Sequence, residues 1–454
     1  MRGQKFMLGA VSGVAVLSLA ACGGVGGSSS GDESPAGSDE VGGSLRTMGF
    51  NLPDEIATVR VETFEETYPD VDLQVNEGGF DEQQFLTSVS TGNPSELVYL
   101  PRDLVGSYAA RGALVPLDQC IAGGGIRMED FRPAVLDEVT YEDTVYGIPE
   151  FYNTPVLILN NTVLREAGVD PADVDVADQE KLLEAVNSMT IINGGTIERV
   201  GIELRIPEIM PLYGVIDQNP FIAGADDFRL DTPETIATFE RLKELQDAMG
   251  GHVAMRDFAN SWDLFGEANP FAENQVGAMV IEQWYVNVLA ETSPDVDITV
   301  LPIEDIDGNP VTWASGNAWA IPEGAGNQGA ACEFMNVMTA PETWAAAAEA
   351  RIDMRASEGK AFTGIYTANE AADDIVFNEL YTVPDGENAK WGDAVEAVLT
   401  AQQDAWAIPA NPIGAQFKAA WLEAANRTLG GQASAAEALA AAQASVDSAL
   451  ETAG

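Results

Sequence analysis

Few residues in this chain are equipped for covalent chemistry. His252 is the only histidine, so a histidine-built zinc site or a Ser-His-Asp machine lacks its parts. It follows Met249-Gly250-Gly251, which reads as a helix end, and is expected as a plain surface histidine. Acidic pairs such as Asp226-Asp227 and Asp373-Asp374 place two carboxylates side by side, whereas a glycosidase needs them facing each other across the scissile bond. With 72 acidic residues such pairs are unavoidable. Asp305-Ile306-Asp307-Gly308-Asn309 starts like a calcium loop but lacks the distant glutamate that completes one, so a hairpin turn is expected. Cys120 and Cys332 fit either a disulfide or two buried thiols. No cofactor and no metal is expected. What the chain offers instead is binding. Gly78-Gly79-Phe80-Asp81 and Pro101-Arg102-Asp103 each follow a strand-like run, and in open α/β sheets ligands sit beyond the carboxyl ends of strands. Asp81 and Asp103 serve equally well as helix caps.

The elements that must position these groups alternate. Residues 47–51 read as a short strand, 54–68 as a helix with Ile56, Val59, Phe64 and Tyr68 near one face, and 71–75 as a cleanly alternating strand. Asp81 opens a helix closed by Gly92, 97–100 is a strand, and Asp103 opens a helix closed by Gly112. Such alternation implies an α/β fold with a largely parallel sheet and helices on both faces. A second unit follows, with a strand at 156–159, helices at 161–167 and 178–189, a strand at 200–204, a long helix opened by Thr232-Pro233, and a buried strand at 276–281. Residues 298–301 and 310–313 flank a turn, 318–321 is extended, 328–338 is helical, and the Ala-rich tail 433–449 is helical. Between the units lies 145–155, where Pro149 and Pro155 bracket a polar, aromatic step suited to a passage between domains.

The chain begins with Arg2 and Lys5, an apolar run over 6–19, and then Leu19-Ala20-Ala21-Cys22. These are the parts of a secretory signal, and the run is too short for a stable membrane span. A cysteine directly after small residues resembles the lipobox of bacterial lipoproteins, which implies cleavage before Cys22 and lipidation of its thiol. A Gly/Ser-rich, polar tract from 22 to 43 reads as a flexible tether. The formal net charge is −50, or −52 once Arg2 and Lys5 are removed. Nucleic acid and anionic lipid are therefore poor partners, because like charge repels them. The acids are spread along the chain, which, with only six lysines, suits a solvated, salt-tolerant surface.

Several stretches, in order along nearly the whole mature chain, together resemble extracellular solute-binding proteins of ABC importers, in the carbohydrate-type family that includes maltose-binding protein. They are Phe64 to Val71, Ser90-Thr91-Gly92-Asn93-Pro94, Gly112 to Asp118, Tyr146-Gly147-Ile148-Pro149, Leu159-Asn160-Asn161 with Ala167 to Pro171, Gly277-Ala278-Met279, and Gly316 to Pro322. The stretch after Arg351 to Arg355 departs from the family's Leu-Pro-x-Arg pattern. The resemblance implies two α/β lobes joined by a multi-strand hinge, with crossings near Thr154, Trp313 and Ser357. Lobe I is then 44–154 with 314–356, and lobe II 155–313 with 357–454. It implies capture of a mono- or oligosaccharide by hinge closure and delivery to an ABC permease, by a monomer held by lipid on the outer face of the cytoplasmic membrane, as in Gram-positive cells. A sugar presents hydroxyls and flat apolar faces, so its site needs aromatic rings and fixed polar groups. Trp284 resembles the family's tryptophan after the Gly-x-x-Met strand and is the first candidate. Asn317, Tyr152, Asp103 and Trp313 follow, then Phe80, Asp81, Arg102, Asn153, Gly316 and Trp319, with Trp262 and Trp391 behind them. Trp319 alternates within an apolar strand and fits the core equally well. Arg102 and Glu150 also fit a salt-bridge role. Competing readings are a polyamine or other non-sugar solute on the same scaffold, and a secreted glycan hydrolase.

Overall fold

The computed structural model describes residues 41–453; the signal segment, Cys22 and nearly all of the tether lie outside them. The tether ends earlier than its composition implies, since the first strand begins at Gly43 and Val41 already packs against the first core.

Two five-stranded sheets organise the chain. The first has the order Val71–Asn76, Gly43–Met48, Leu97–Pro101, Asn317–Ala320, Ile148–Pro149. Its first three strands are parallel, and Asn317–Ala320 joins antiparallel to Leu97–Pro101. Side chains alternate across its pleat. Leu97, Tyr99, Trp319 and Ile321 go to one core and Val98, Leu100, Ala318 and Ala320 to another. Helices Glu55–Thr67 and Gln328–Thr339 cover the first face through Phe64 and Phe334, whose rings meet at 5.0 Å. Cys120 and Cys332 are disulfide-bonded and tie helix Asp118–Ala122 to helix Gln328–Thr339.

The second sheet has the order Ile298–Leu301, Pro155–Asn160, Val276–Glu282, Thr196–Glu203, Ile191–Asn193. Only Val276–Glu282 and Thr196–Glu203 run parallel. The expected largely parallel sheet is thus confined to the first unit. Pro155–Asn160 leaves the crossing just as Val276–Glu282 returns to it, so their pairing is antiparallel.

The helix starts follow their caps. The side chains of Asp54, Asp81, Asn160, Asp178 and Thr232 accept N–H bonds from the first turns of their helices, satisfying donors that have no partner inside the helix. Asp103 does not cap: the chain enters a short turn at Arg102–Leu104 without a side-chain cap bond. The turn at 304–310 is held by Asp305, whose carboxylate accepts the N–H groups of Asp307 and Asn309, both at 2.9 Å.

Three passages link the sheets. Asn153 and Ser315 exchange backbone bonds of 3.0 and 2.8 Å, and Thr312–Trp313 pairs in parallel with Ala405–Trp406. Two buried glutamines grip the first passage: Gln283 donates to the Tyr152 carbonyl at 2.8 Å and accepts from the Thr154 N–H at 2.7 Å, and Gln402 donates to the Tyr152 carbonyl at 3.4 Å. Beyond Ser357 the chain packs on both units: Phe362, Ile365 and Val376 lie with Ile56 and Trp344 on the first, while Ala361 and Tyr366 already join the second core, which helix Ala389–Ala401 also enters through Trp391 and Val398. Among the described residues no helix is long and apolar enough to cross a membrane.

Candidate functional site

Each sheet ends, on the side facing the passages, in a cavity. The first, of about 420 Å³, lies at the carboxyl ends of Gly43–Met48, Val71–Asn76 and Leu97–Pro101 and at the start of Asn317–Ala320. Phe50, Phe80, Tyr99 and Phe151 supply aromatic walls, and Asn51 and Asn317 supply amides. Two charged residues line it, and both are occupied by protein. Asp54 accepts from Arg351 Nη2 at 2.8 Å and from the Ala57 N–H at 3.1 Å. Arg60 is buried, ion-paired with Glu150, bonded to the Met338 carbonyl at 3.1 Å, and lies 4.0 Å from the Trp344 ring centre. Burial and the Glu150 charge hold the Tyr99 hydroxyl well above its ordinary range.

The second cavity, of about 260 Å³, lies at the carboxyl end of Thr196–Glu203 and beside the middle of Val276–Glu282, and Glu203, Arg205, Arg256, Trp262, Leu264 and Met279 line it. Its charges are loosely held. Arg205 sits 3.9 Å from Glu282, whose Oε2 has no hydrogen-bond partner among the described residues. The Arg205 backbone adopts φ 52, a strained choice for a residue with a side chain, and its N–H donates to Glu203 Oε1 at 2.8 Å. Burial pushes Glu203 up to about 7, with the Arg205 N–H and charge pulling the other way. The Trp262 Nε1 donor is buried without a partner among the described residues.

Trp284 begins helix Trp284–Thr292 directly after the strand Val276–Glu282 and is partly exposed. Its ring stacks on Phe265, with centroids 5.7 Å apart and planes 12° apart.

The candidates from the sequence divide into three groups. Phe80 and Asn317 line the first cavity, and Trp284 stands at the end of the second sheet. A second group belongs to the passages. Tyr152 is buried with its ring 4.7 Å from the Arg132 guanidinium. Asn153 is held by its backbone pairing, and Trp313 is buried in the passage strand. Gly316 has φ 140, and a Cβ there would meet Arg102 Nη1 at 2.5 Å, so only glycine fits. The third group is structural. Trp319 is fully buried between Phe50, Tyr99 and Phe334, at 4.8, 4.6 and 5.1 Å, and supports the first cavity from beneath. Trp391 is core. Arg102 is buried against Glu138 at 2.6 Å and the Phe151 carbonyl at 2.6 Å. Asp103 binds Lys418 at 2.7 Å, and Asp81 caps its helix. Tyr152, Trp313, Trp319 and Arg102 therefore offer no open face to a solute, because long-range pairing closes over them. His252, expected at the surface, is buried with Nδ1 2.7 Å from Gln246 Oε1; burial lowers its pKa.

Sequence reasoning missed Phe50, Tyr99 and Phe151 in one lobe and Glu203, Arg205 and Phe265 in the other. Glu203 closes a strand and Arg205 follows it, the same signal that singled out Phe80. Phe265 carries no such signal, since it lies in an irregular segment.

A family model described as a bacterial extracellular solute-binding protein matches residues 60–357. No curated protein matches the chain significantly. Among solved structures, CpMnBP1 with mannotriose bound is similar, at 21% identity and TM-score 0.70, over 89% of this chain and 99% of that one. The GacH receptor of Streptomyces glaucescens, studied unliganded and with acarbose, is 18% identical with TM-score 0.69, over 91% and 99%. The maltotriose-bound MalE domain from Bdellovibrio bacteriovorus is 16% identical with TM-score 0.66, over 90% and 99%. At these identities the likeness is one of fold: two α/β lobes joined by a multi-strand hinge.

Proposed function

The chain belongs to the bacterial extracellular solute-binding proteins, and we propose that its solute is a carbohydrate, enclosed between the lobes and passed to an ABC import permease. The first cavity carries this reading. It combines aromatic walls with amides, and the two charged residues in its lining are neutralised by Arg351 and Glu150. Such a surface suits the apolar face and hydroxyl rim of a sugar ring. It does not suit a polyamine, which needs carboxylates left open. Proteins of the same fold hold mannotriose, maltotriose and acarbose, which supports the same class here. We assign lobe I to 44–154 with 314–356 and lobe II to 155–313 with 357–453, with Phe362, Ile365 and Val376 packing back on lobe I. The lobes close by bending at the passages, favouring a liganded conformation, and no covalent step occurs on the solute.

Isothermal titration of the mature protein against a carbohydrate panel tests this. Binding of at least one sugar is expected; failure of every sugar alongside binding of a polyamine, phosphate ester or metal ion sinks the reading. We further propose that Cys22 is lipidated and holds a monomeric protein at the outer membrane face, at the end of a tether. Cys22→Ser is expected to release it from the membrane fraction; retention of that variant would contradict the anchor.

A further inference from the structure

Resting on the carbohydrate reading, we infer that the solute is an acidic sugar, and that the second cavity receives its carboxylate on Arg205 and Arg256.

The chain holds 22 basic residues against 72 acidic ones, so two arginines in the lining of one small cavity are not a product of composition. The buried arginines are committed elsewhere: Arg60, Arg102, Arg351 and Arg355 each donate to a carboxylate. Arg205 and Arg256 differ. Their carboxylate neighbours, Glu282 and Glu208, stand at 3.9 and 3.7 Å, beyond hydrogen-bond reach. Their side chains are 28% and 43% exposed, so water covers them when the cleft is empty and a solute can replace it. Arg205 also holds φ 52, at a cost in free energy for a residue with a side chain. The bond from its N–H to Glu203 secures the turn that carries the guanidinium into the cavity.

Trp262 adds a third donor, since its buried Nε1 has no acceptor among the described residues. Guanidinium and indole N–H groups donate and cannot accept. A hydroxyl that fills one of them brings a proton that needs an acceptor of its own. A carboxylate accepts only, and its two oxygens match the guanidinium fork. An ammonium brings only donors and is repelled by both arginines. The acceptors of the lining are less available. Glu203 Oε1 takes the Arg205 N–H at 2.8 Å, and burial pushes Glu203 up to about 7, so it stays protonated below that pH. Glu208 is half exposed, and Glu282 does not line the cavity. The overall negative charge does not oppose an anionic solute here. The acids are spread along the chain, and at physiological salt their fields are screened over about 8 Å, whereas a guanidinium meets a carboxylate at contact.

The test titrates the mature protein calorimetrically with glucuronate, galacturonate, mannuronate and their disaccharides, each beside its neutral parent and its methyl ester. Glucosamine and glucose 6-phosphate complete the panel. At least one uronate is expected to bind about tenfold or more tighter than its parent and its ester. Arg256→Gln and Arg205→Asn should each reduce that preference for the acid about tenfold. Asparagine tolerates the positive φ at 205, Arg256 is exposed, and melting curves verify that both variants fold. Neutral sugars or esters binding as tightly as the acids overturn the inference and leave the carbohydrate reading standing. Tightest binding of glucosamine overturns it too, and assigns the cavity to its carboxylates; tightest binding of glucose 6-phosphate replaces the carboxylate by a phosphate. A preference for the acid that survives in both variants overturns the role of the two arginines. Failure of every sugar, acidic, neutral and amino, brings down the carbohydrate reading, and this inference with it.

Discussion

The two cavities end equivalent sheets and face the same gap, yet they treat charge in opposite ways. In lobe I, Arg60 is buried with Glu150 and Asp54 is taken by Arg351 and its own helix cap. In lobe II, Glu282 stands 3.9 Å from Arg205, and Glu203 holds a strained backbone in place. An unfulfilled buried carboxylate is expensive unless something completes its bonding. Lobe I therefore presents shape and aromatic area, with its two lining charges held by Arg351 and Glu150, although Glu150 Oε2 itself has no hydrogen-bond partner among the described residues. Lobe II keeps one carboxylate oxygen, Glu282 Oε2, without a hydrogen-bond partner among the described residues.

The largest break in this contrast should come from Glu150→Ala. Removing the carboxylate leaves the Arg60 guanidinium buried and uncompensated, and stability in denaturant titration should fall by about 3–5 kcal/mol. A loss below about 1 kcal/mol would show that the lobe I charges are not committed to the fold. Next is the disulfide, which belongs to lobe I alone. Cys120→Ser with Cys332→Ser should cost about 3 kcal/mol of stability, since the bond closes a span of 212 residues. Solute affinity should stay within about twofold of wild type; a larger change would couple that far face to the cleft. Third, Trp284→Ala should weaken the best sugar about tenfold in calorimetry and lower the melting temperature only slightly. An unchanged affinity would move Trp284 to the core.

The smallest effect concerns pH. Glu203 titrates at about 7 in the folded chain against an ordinary 4.5. The folded state thus keeps a proton that the unfolded chain has already lost between those values, so stability falls as pH rises through the window. Glu138, raised to about 7 by burial, adds a parallel slope from lobe I. Glu203→Gln should flatten the profile of the ligand-free protein between pH 4.5 and 7, leaving the Glu138 part. Identical profiles for wild type and variant would mean that Glu203 is not held in its neutral form.

Much of the fold was legible in the residues. Alternation at 71–75, the caps Asp54, Asp81, Asp178 and Thr232, and the stop at Gly168 follow from local rules, because each depends on neighbours within a turn or two. The ordered stretches from Phe64 to Pro322 were enough to indicate the family. The extended character of 149–155 also follows locally, since Pro149 and Pro155 disfavour helix. How 361–377 divides between the cores does not: Phe362 and Val376 find Trp344 while Tyr366 packs in the second core, contacts with no local signature.

Residues at the ends of strands drew attention in the sequence, and of these Phe80, after Val71–Asn76, lines the first cavity, as does Asn317 at the start of its strand. Period two places Trp319 on the face of Asn317 and Ile321, but which face is covered depends on helices 55–67 and 328–339, far away in the chain. That distant cover buries Trp319 and leaves Phe50 and Tyr99 as the walls of the cavity. Tertiary structure alone joined Cys120 to Cys332, buried His252 against Gln246, and stacked Phe265 on Trp284. The sequence by itself determined the elements and their kinship, because those are set by near neighbours. Only packing decided which side chains meet solvent across the gap, because exposure is a property of the partners that long-range pairing brings.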